Sequence, residues 1–347
     1  MSWSSLRDVF WNDRERRLRA PWRVVLGLLL VLVFGVAGSA LGSALERAGV
    51  GPGPPTGGSG VVAQVAVLAG FVAGLCLAGR YVDRRRLRDF GLGQSRAWWA
   101  DLGFGLALGV AMPGVVFGLE LAAGLVRVTG TLVTRSGPTL PATSGVPFAL
   151  AFAVTAAYFV AVGVFEELFF RGYLLTNVAE GGGGVRQFGA GGALAVATVL
   201  TSGLFGLAHT ANPNASALAT VTITLYGGFL AAGYLLTGRI ATPIGVHVTW
   251  NLAVSSVFGF PVSGIRTPVT VVAVEQTGPA VVTGGEFGPE GGLVSLVALA
   301  AGFGALLGWV RWREGGVKLR ESVSRPALRR GDGRADRETG PPANHDG

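Results

Sequence analysis

Charge and reactive side chains are both scarce in this chain. Only 14% of its 347 residues are Asp, Glu, Lys or Arg, too few to solvate a water-soluble domain of that length. The one cysteine, Cys76, lies in an apolar run, so an intrachain disulfide is excluded and thiol catalysis is disfavoured. No serine or cysteine stands in an elbow motif beside a matched base. There are three histidines, and one of them, His345, falls in a charged, Gly/Pro-rich C-terminal stretch. The 57 glycines have no period, which excludes collagen and repeat arrays.

What is present is apolar surface. Half of the residues are hydrophobic and the mean hydropathy is +0.52. The apolar residues fall into separate runs long enough to cross a bilayer. The runs are Trp22–Ala44, Val61–Gly79, about Leu102–Val126, a run starting at Pro147, about Gly191–His209, Ser216–Leu236, Pro243–Phe258 and Gly292–Val310. The fold expected is therefore all-α, a polytopic membrane protein of about eight transmembrane helices. Scattered glycines suit such a bundle, because small residues let helices approach closely in lipid. The net charge of +8 would suggest nucleic acid in a soluble domain. Here the arginines sit at the ends of the apolar runs, so they read as topology and headgroup contacts, with no nucleic-acid partner. Their bias places the protein in the cell membrane with both termini cytoplasmic.

The chain divides into a basic amphipathic segment over 1–20 that suits a membrane surface, three spans over 21–146, a core over 147–258, a loop and last span over 259–310, and a disordered cytoplasmic tail over 311–347. The first span also has signal-peptide features, and an uncleaved anchor is the preferred reading. Residues 127–146 read as a polar loop. Residues 260–290 are rich in Gly, Val and Thr; short strands there have no evident partner. Glu120, within the third span, has no evident partner either.

The core is organised around Phe165-Glu166-Glu167-Leu168-Phe169-Phe170-Arg171-Gly172. Charges within the hydrocarbon cost about 3 kcal/mol each on insertion scales and mark function by default. On a helix Glu167 and Arg171 share a face and can pair, while Glu166 is rotated about 100° away. Glu167–Arg171 is thus the expected structural ion pair, and Glu166 the carboxylate left free. Two later runs carry Phe205-x-x-x-His209 and His247-x-x-x-Asn251, each spacing stacking its pair on one helix face. Polar groups in lipid seek one another, so these three helices are expected to share one pocket. Its chemistry would be activation of water: Glu166 as general base, His209 sharing the water or binding a metal, His247 and Asn251 holding an oxyanion. That amounts to hydrolysis of a peptide bond within the membrane.

Glu166-Glu167…Arg171, Phe205…His209 and His247…Asn251, in this order on successive membrane helices, resemble the three motifs of the CAAX protease and bacteriocin-processing family. The family includes the type II CAAX prenyl endopeptidases and the abortive-infection proteins. The resemblance covers 147–258, which then reads as its catalytic transmembrane core. It implies an eight-helix intramembrane endopeptidase with Glu166, His209, His247 and Asn251 as the active constellation. The expected partners are the bilayer and a membrane-associated protein or peptide substrate; a prenylated substrate does not follow.

Two chemistries stay open. Glu166, His209 and His247 would just suffice as protein ligands for zinc, which needs about three plus a water; a separate base would then be needed. A metal-free glutamate mechanism also fits and is the preferred of the two. Two other classes also use such a pocket: a transporter, for which no inverted repeat is visible, and a non-catalytic scaffold or immunity protein.

Overall fold

The computed structural model describes residues 3–13, 15–51, 60–135, 139–140, 146–183 and 189–325. It is 73% helical. Helix α1 (Trp3–Phe10) leads into a small hairpin, β1 (Trp11–Asn12) and β2 (Arg17–Leu18). Then come α2 (Ala20–Arg47), α3 (Val61–Leu77), α4 (Arg96–Ala122) and strand β3 (Val126–Thr134). One long rod follows: α5 (Phe148–Glu167), a π-helical segment (Leu168–Leu175) and α6 (Thr176–Gly183). The remainder is α7 (Gly189–Ala208), α8 (Ala217–Thr237), α9 (Ala241–Leu252), strand β4 (Val269–Gln276), the short α10 (Ala280–Thr283) and α11 (Val294–Glu314).

Seven of these helical stretches are long and apolar enough to cross a membrane, among the described residues. The expected seventh span over Pro243–Phe258 is helical but short: α9 runs on as a π segment, Ala253–Val257, and ends there. Nearly all of α9 is buried, so it sits inside the bundle and needs no lipid-matching length. Glycine explains how it fits. An added Cβ at Gly105 or Gly109 of α4 would lie 2.4 Å from the carbonyl oxygens of Thr242 and Val246. On the other side of the contact, a Cβ at Gly245 would meet the Leu102 carbonyl at 2.7 Å. The backbones of α4 and α9 therefore touch, as small residues allow in membrane bundles. The turn into α9 is set by Gly238, whose left-handed φ of 72° ends α8.

Residues 127–146 are not simply a polar loop. β3 occupies the start of that stretch and pairs antiparallel with β4 of the 260–290 region, from Val126 against Gln276 to Thr134 against Val269, with a bulge between Val128 and Gly130. Both strands are rich in Val and Thr, which fit a pleated surface. Arg135 straps the sheet to the end of α9, its guanidinium donating to the carbonyls of Gly259 (2.7 Å) and Thr267 (3.3 Å). Glu120 is fully buried in α4, beside Gln276 of β4.

Two polar clusters tie helix ends together. Arg17 and Arg23 each place an Nη2 at 2.9 Å from Oε2 of Glu180 in α6, Arg85 also pairs with Glu180, and Arg23 pairs with Asp83 at 2.8 Å. Elsewhere Arg239 bridges Asp101 of α4 and Glu314 of α11. The stretch after 311, expected to be disordered, is ordered in its first part. α11 continues to Glu314, and Glu321–Ser324 forms a 3-10 turn with Val323 buried. The Arg320 amide donates to the Leu235 carbonyl at 2.8 Å, which anchors that turn on α8. Residues 326–347 lie outside the described residues.

Candidate active site

The motif residues converge because two helices of matched reach form a hairpin. Counting from the sequence, simple addition puts His209 at the far end of its helix and Glu166 nearer the opposite end. The rod holding Glu166 ends at Gly183, 17 residues later (183 − 166), and Phe205 lies 16 residues (205 − 189) beyond the start of α7. The two arms are thus of comparable length, which brings Phe205 beside Phe170 and Arg171, about one turn from Glu166. α7 begins at Gly189, earlier than the expected Gly191.

Glu167, fully buried, is the hub. Its Oε1 accepts from Nη1 of Arg171 at 2.8 Å and from Nδ1 of His247 at 2.7 Å. Arg171 donates its other terminal nitrogen to the Gly227 carbonyl of α8 at 3.1 Å. It also lies over the ring of Phe205, 4.4 Å from the centroid, a cation–π contact in a dry environment. Phe205 stands edge-on to His247 at 6.0 Å between centroids. The aromatic residue of Phe-x-x-x-His thus packs against both the Arg171 guanidinium and the imidazole. The expected Glu167–Arg171 pair is present, and it carries a further duty that the spacing did not show: it holds His247.

With Nδ1 donating to Glu167, the other ring nitrogen of His247 points elsewhere. Nε2 faces Oε2 of Glu166 at 3.8 Å. Glu166 is 22% exposed and that oxygen accepts no hydrogen bond among the described residues. His209 is fixed in the same manner, Nδ1 donating to the Phe205 carbonyl at 2.7 Å, which makes Nε2 the acceptor in the neutral ring. His209, His247 and Asn251 line one narrow cavity of about 40 Å³. Glu166 is not in its lining but faces His247, which is.

Other residues of that cavity come from outside the motifs. Tyr226 and Trp250 pack at a tilt of 51°, 4.8 Å between centroids, and form its aromatic wall. Ser263 and Glu290 close its polar end. Trp250 donates from Nε1 to Oε2 of Glu290 at 2.9 Å, and the Ser263 hydroxyl donates to Oε1. Sequence reasoning had placed no function in 260–290. The one available signal was an acidic residue at the head of an apolar run.

The donor chemistry of Glu166, His209 and His247 is of a type that zinc accepts. Among the described residues, however, no three His, Cys, Asp or Glu side chains converge as a metal site. Only Glu166 and His247 face one another, so no step below is routed through a metal.

Comparison with known proteins bears on the same stretch. Residues 147–253 match the family described as Type II CAAX prenyl endopeptidase Rce1-like. The match covers about a third of the chain and contains all three motifs, in agreement with the resemblance seen in the sequence. No curated protein and no solved structure matches this chain. A CAAX-protease-like domain therefore occupies α5 to α9 of a multi-pass helical protein.

Proposed function

We propose that the protein is an intramembrane endopeptidase, hydrolysing a peptide bond of a membrane-associated protein or peptide with water activated by Glu166 and the two histidines. One observation supports this most: Glu166 presents an unpartnered carboxylate oxygen to His247, whose opposite nitrogen is anchored on Glu167. A carboxylate held free in a water-excluding bundle is a base with no competing hydrogen bond.

The steps follow from the tautomers. Glu166 takes a proton from a water whose second hydrogen is accepted by Nε2 of His209. The resulting hydroxide adds to the peptide carbonyl carbon, and the carbonyl oxygen becomes an oxyanion. Asn251, which lines the cavity, donates a side-chain N–H to that oxygen. His247 can join it as a donor only after its Nε2 has taken a proton, because in the neutral ring Nδ1 already carries the hydrogen bonded to Glu167. Glu166 returns its proton to the leaving nitrogen, directly or through His247, and the C–N bond breaks. Peptide and water thus yield a carboxylic acid and an amine, which leave as carboxylate and ammonium once the acid's proton passes to the amine, with Glu166 regenerated.

The same reading places both termini in the cytoplasm, from the arginine bias. The test is cleavage of a membrane-anchored peptide by purified protein, compared with Glu166→Gln. Loss of cleavage with retained folding supports the hydrolase. Equal processing by both proteins sinks it and favours a scaffold or transporter.

A further inference from the structure

The cavity beside the histidines ends in a buried carboxylate without a counter-charge. Glu290 is 5% exposed. Three neutral contacts pin it: Trp250 and Ser263 donate to its carboxylate, and Thr222 of α8 donates to its backbone carbonyl. Other buried carboxylates, Glu120 apart, have cations: Asp83 has Arg23, Asp101 has Arg239, Glu167 has Arg171, and Glu180 has Arg17 and Arg23. Among the described residues no cation pairs with Glu290, and unlike Glu120 it faces a cavity.

Burying an uncompensated charge is costly, so the arrangement persists where something else supplies the cation. A carboxylate has about four lone-pair sites; two here are taken by Trp250 and Ser263, and two remain. The volume of about 40 Å³ holds roughly three waters. That suits the terminal methylene and ammonium of a lysine, and it is far too small for a prenyl chain or an aromatic ring. Tyr226 and Trp250 in the lining add aromatic surface of the kind that attracts a cation.

We propose that this cavity is a substrate subsite for a lysine side chain next to the scissile bond, with Glu290 as its specificity-determining counter-charge. The inference rests on the endopeptidase reading, and it extends the site beyond the matched segment, which ends at residue 253. A purely structural Glu290, tethering the 260–290 loop to α8 and α9, is the competing explanation.

The experiment has two arms. In the first, membrane-anchored peptides that differ only by Lys or norleucine beside the cleaved bond are compared. Wild type should favour Lys by tenfold or more in kcat/KM, Glu290→Gln should reduce that ratio to about one, and Thr222→Val, which removes a tether outside the cavity lining but keeps the charge, should preserve it. A ratio unchanged in Glu290→Gln, or abolished alike in Thr222→Val, overturns the proposal. The second arm needs no turnover. In the Glu166→Gln background, n-butylammonium should raise the thermal unfolding midpoint in detergent more than n-butanol, and adding Glu290→Gln should erase the difference. Equal shifts with both ligands overturn the subsite. A Glu290-dependent ammonium shift in a wild-type protein that cleaves nothing upholds the cation site and refutes only the protease reading.

Discussion

Nδ1 of His247 lies 2.7 Å from Oε1 of Glu167, the same oxygen that receives Arg171. One carboxylate oxygen therefore positions a catalytic candidate on α9 and neutralises a cation on the long rod. Changes to this group should separate stability from chemistry. Arg171→Ala leaves Glu167 buried with only an imidazole, and breaking a buried pair typically costs about 3–5 kcal/mol. Folded protein recovered in detergent should fall sharply. Glu166→Gln, at a partly exposed side chain with no hydrogen bond on Oε2, should keep the wild-type unfolding temperature and lose activity. Comparable unfolding in both variants would end this division of roles.

Asn251 is assigned to the oxyanion. Asn251→Ala should lower kcat by about 10²–10³ with little change in KM, the cost of one preorganised donor. A rise in KM at constant kcat would instead make Asn251 a ground-state binding group.

Metal dependence is settled by bound zinc and activity measured together. In the metal-free route, chelation leaves turnover intact, and each histidine variant loses activity without losing metal. If zinc is the activating ion, His209→Ala and His247→Ala should both lose it, since each removes a ligand, while Asn251→Ala keeps it. Stoichiometric zinc that vanishes with either histidine would replace the glutamate-only route but leave the hydrolase reading standing.

Orientation is testable with reporter fusions. Fusions at Gln94 and after Arg325 should report the cytoplasm, and one after Arg135 the opposite side. A fusion after Arg325 found outside would show that one helix does not cross.

Much of this architecture was legible because apolar run length carries it. The span expected over Ser216–Leu236 is observed as Ala217–Thr237, and Gly292–Val310 as Val294–Glu314. The Glu167–Arg171 pair followed from spacing alone. Three features were not legible, each for a physical reason. β3 and β4 stabilise one another across some 140 residues (269 − 126 = 143), and neither run alone shows a partner. The placing of Phe205 beside Phe170 and Arg171 depends on how far two helices project past their turn, which hydropathy does not record. Glu290 enters the cavity through a loop fixed by Trp250 and Ser263, and those contacts have no sequence period.

The π segment has a consequence for how this rod is built. An α-helix advances about 100° per residue. A π-helix, at about 4.4 residues per turn, advances nearer 80°, so over Leu168–Leu175 the rod loses well over a quarter-turn of phase. Its first half packs on α3, α9 and the β3–β4 sheet, its π portion on α7 and α8, and its last part on α2 and α7. A single continuous helix thus presents two differently aimed faces, joined at the glutamates as a shaft is joined at a spline. Straightening residues 168–175 into α-helical winding at unchanged length would turn Glu166 and Glu167 by that angle against the Arg17–Arg23–Glu180 anchorage. The chemistry and the anchorage could no longer be satisfied at once.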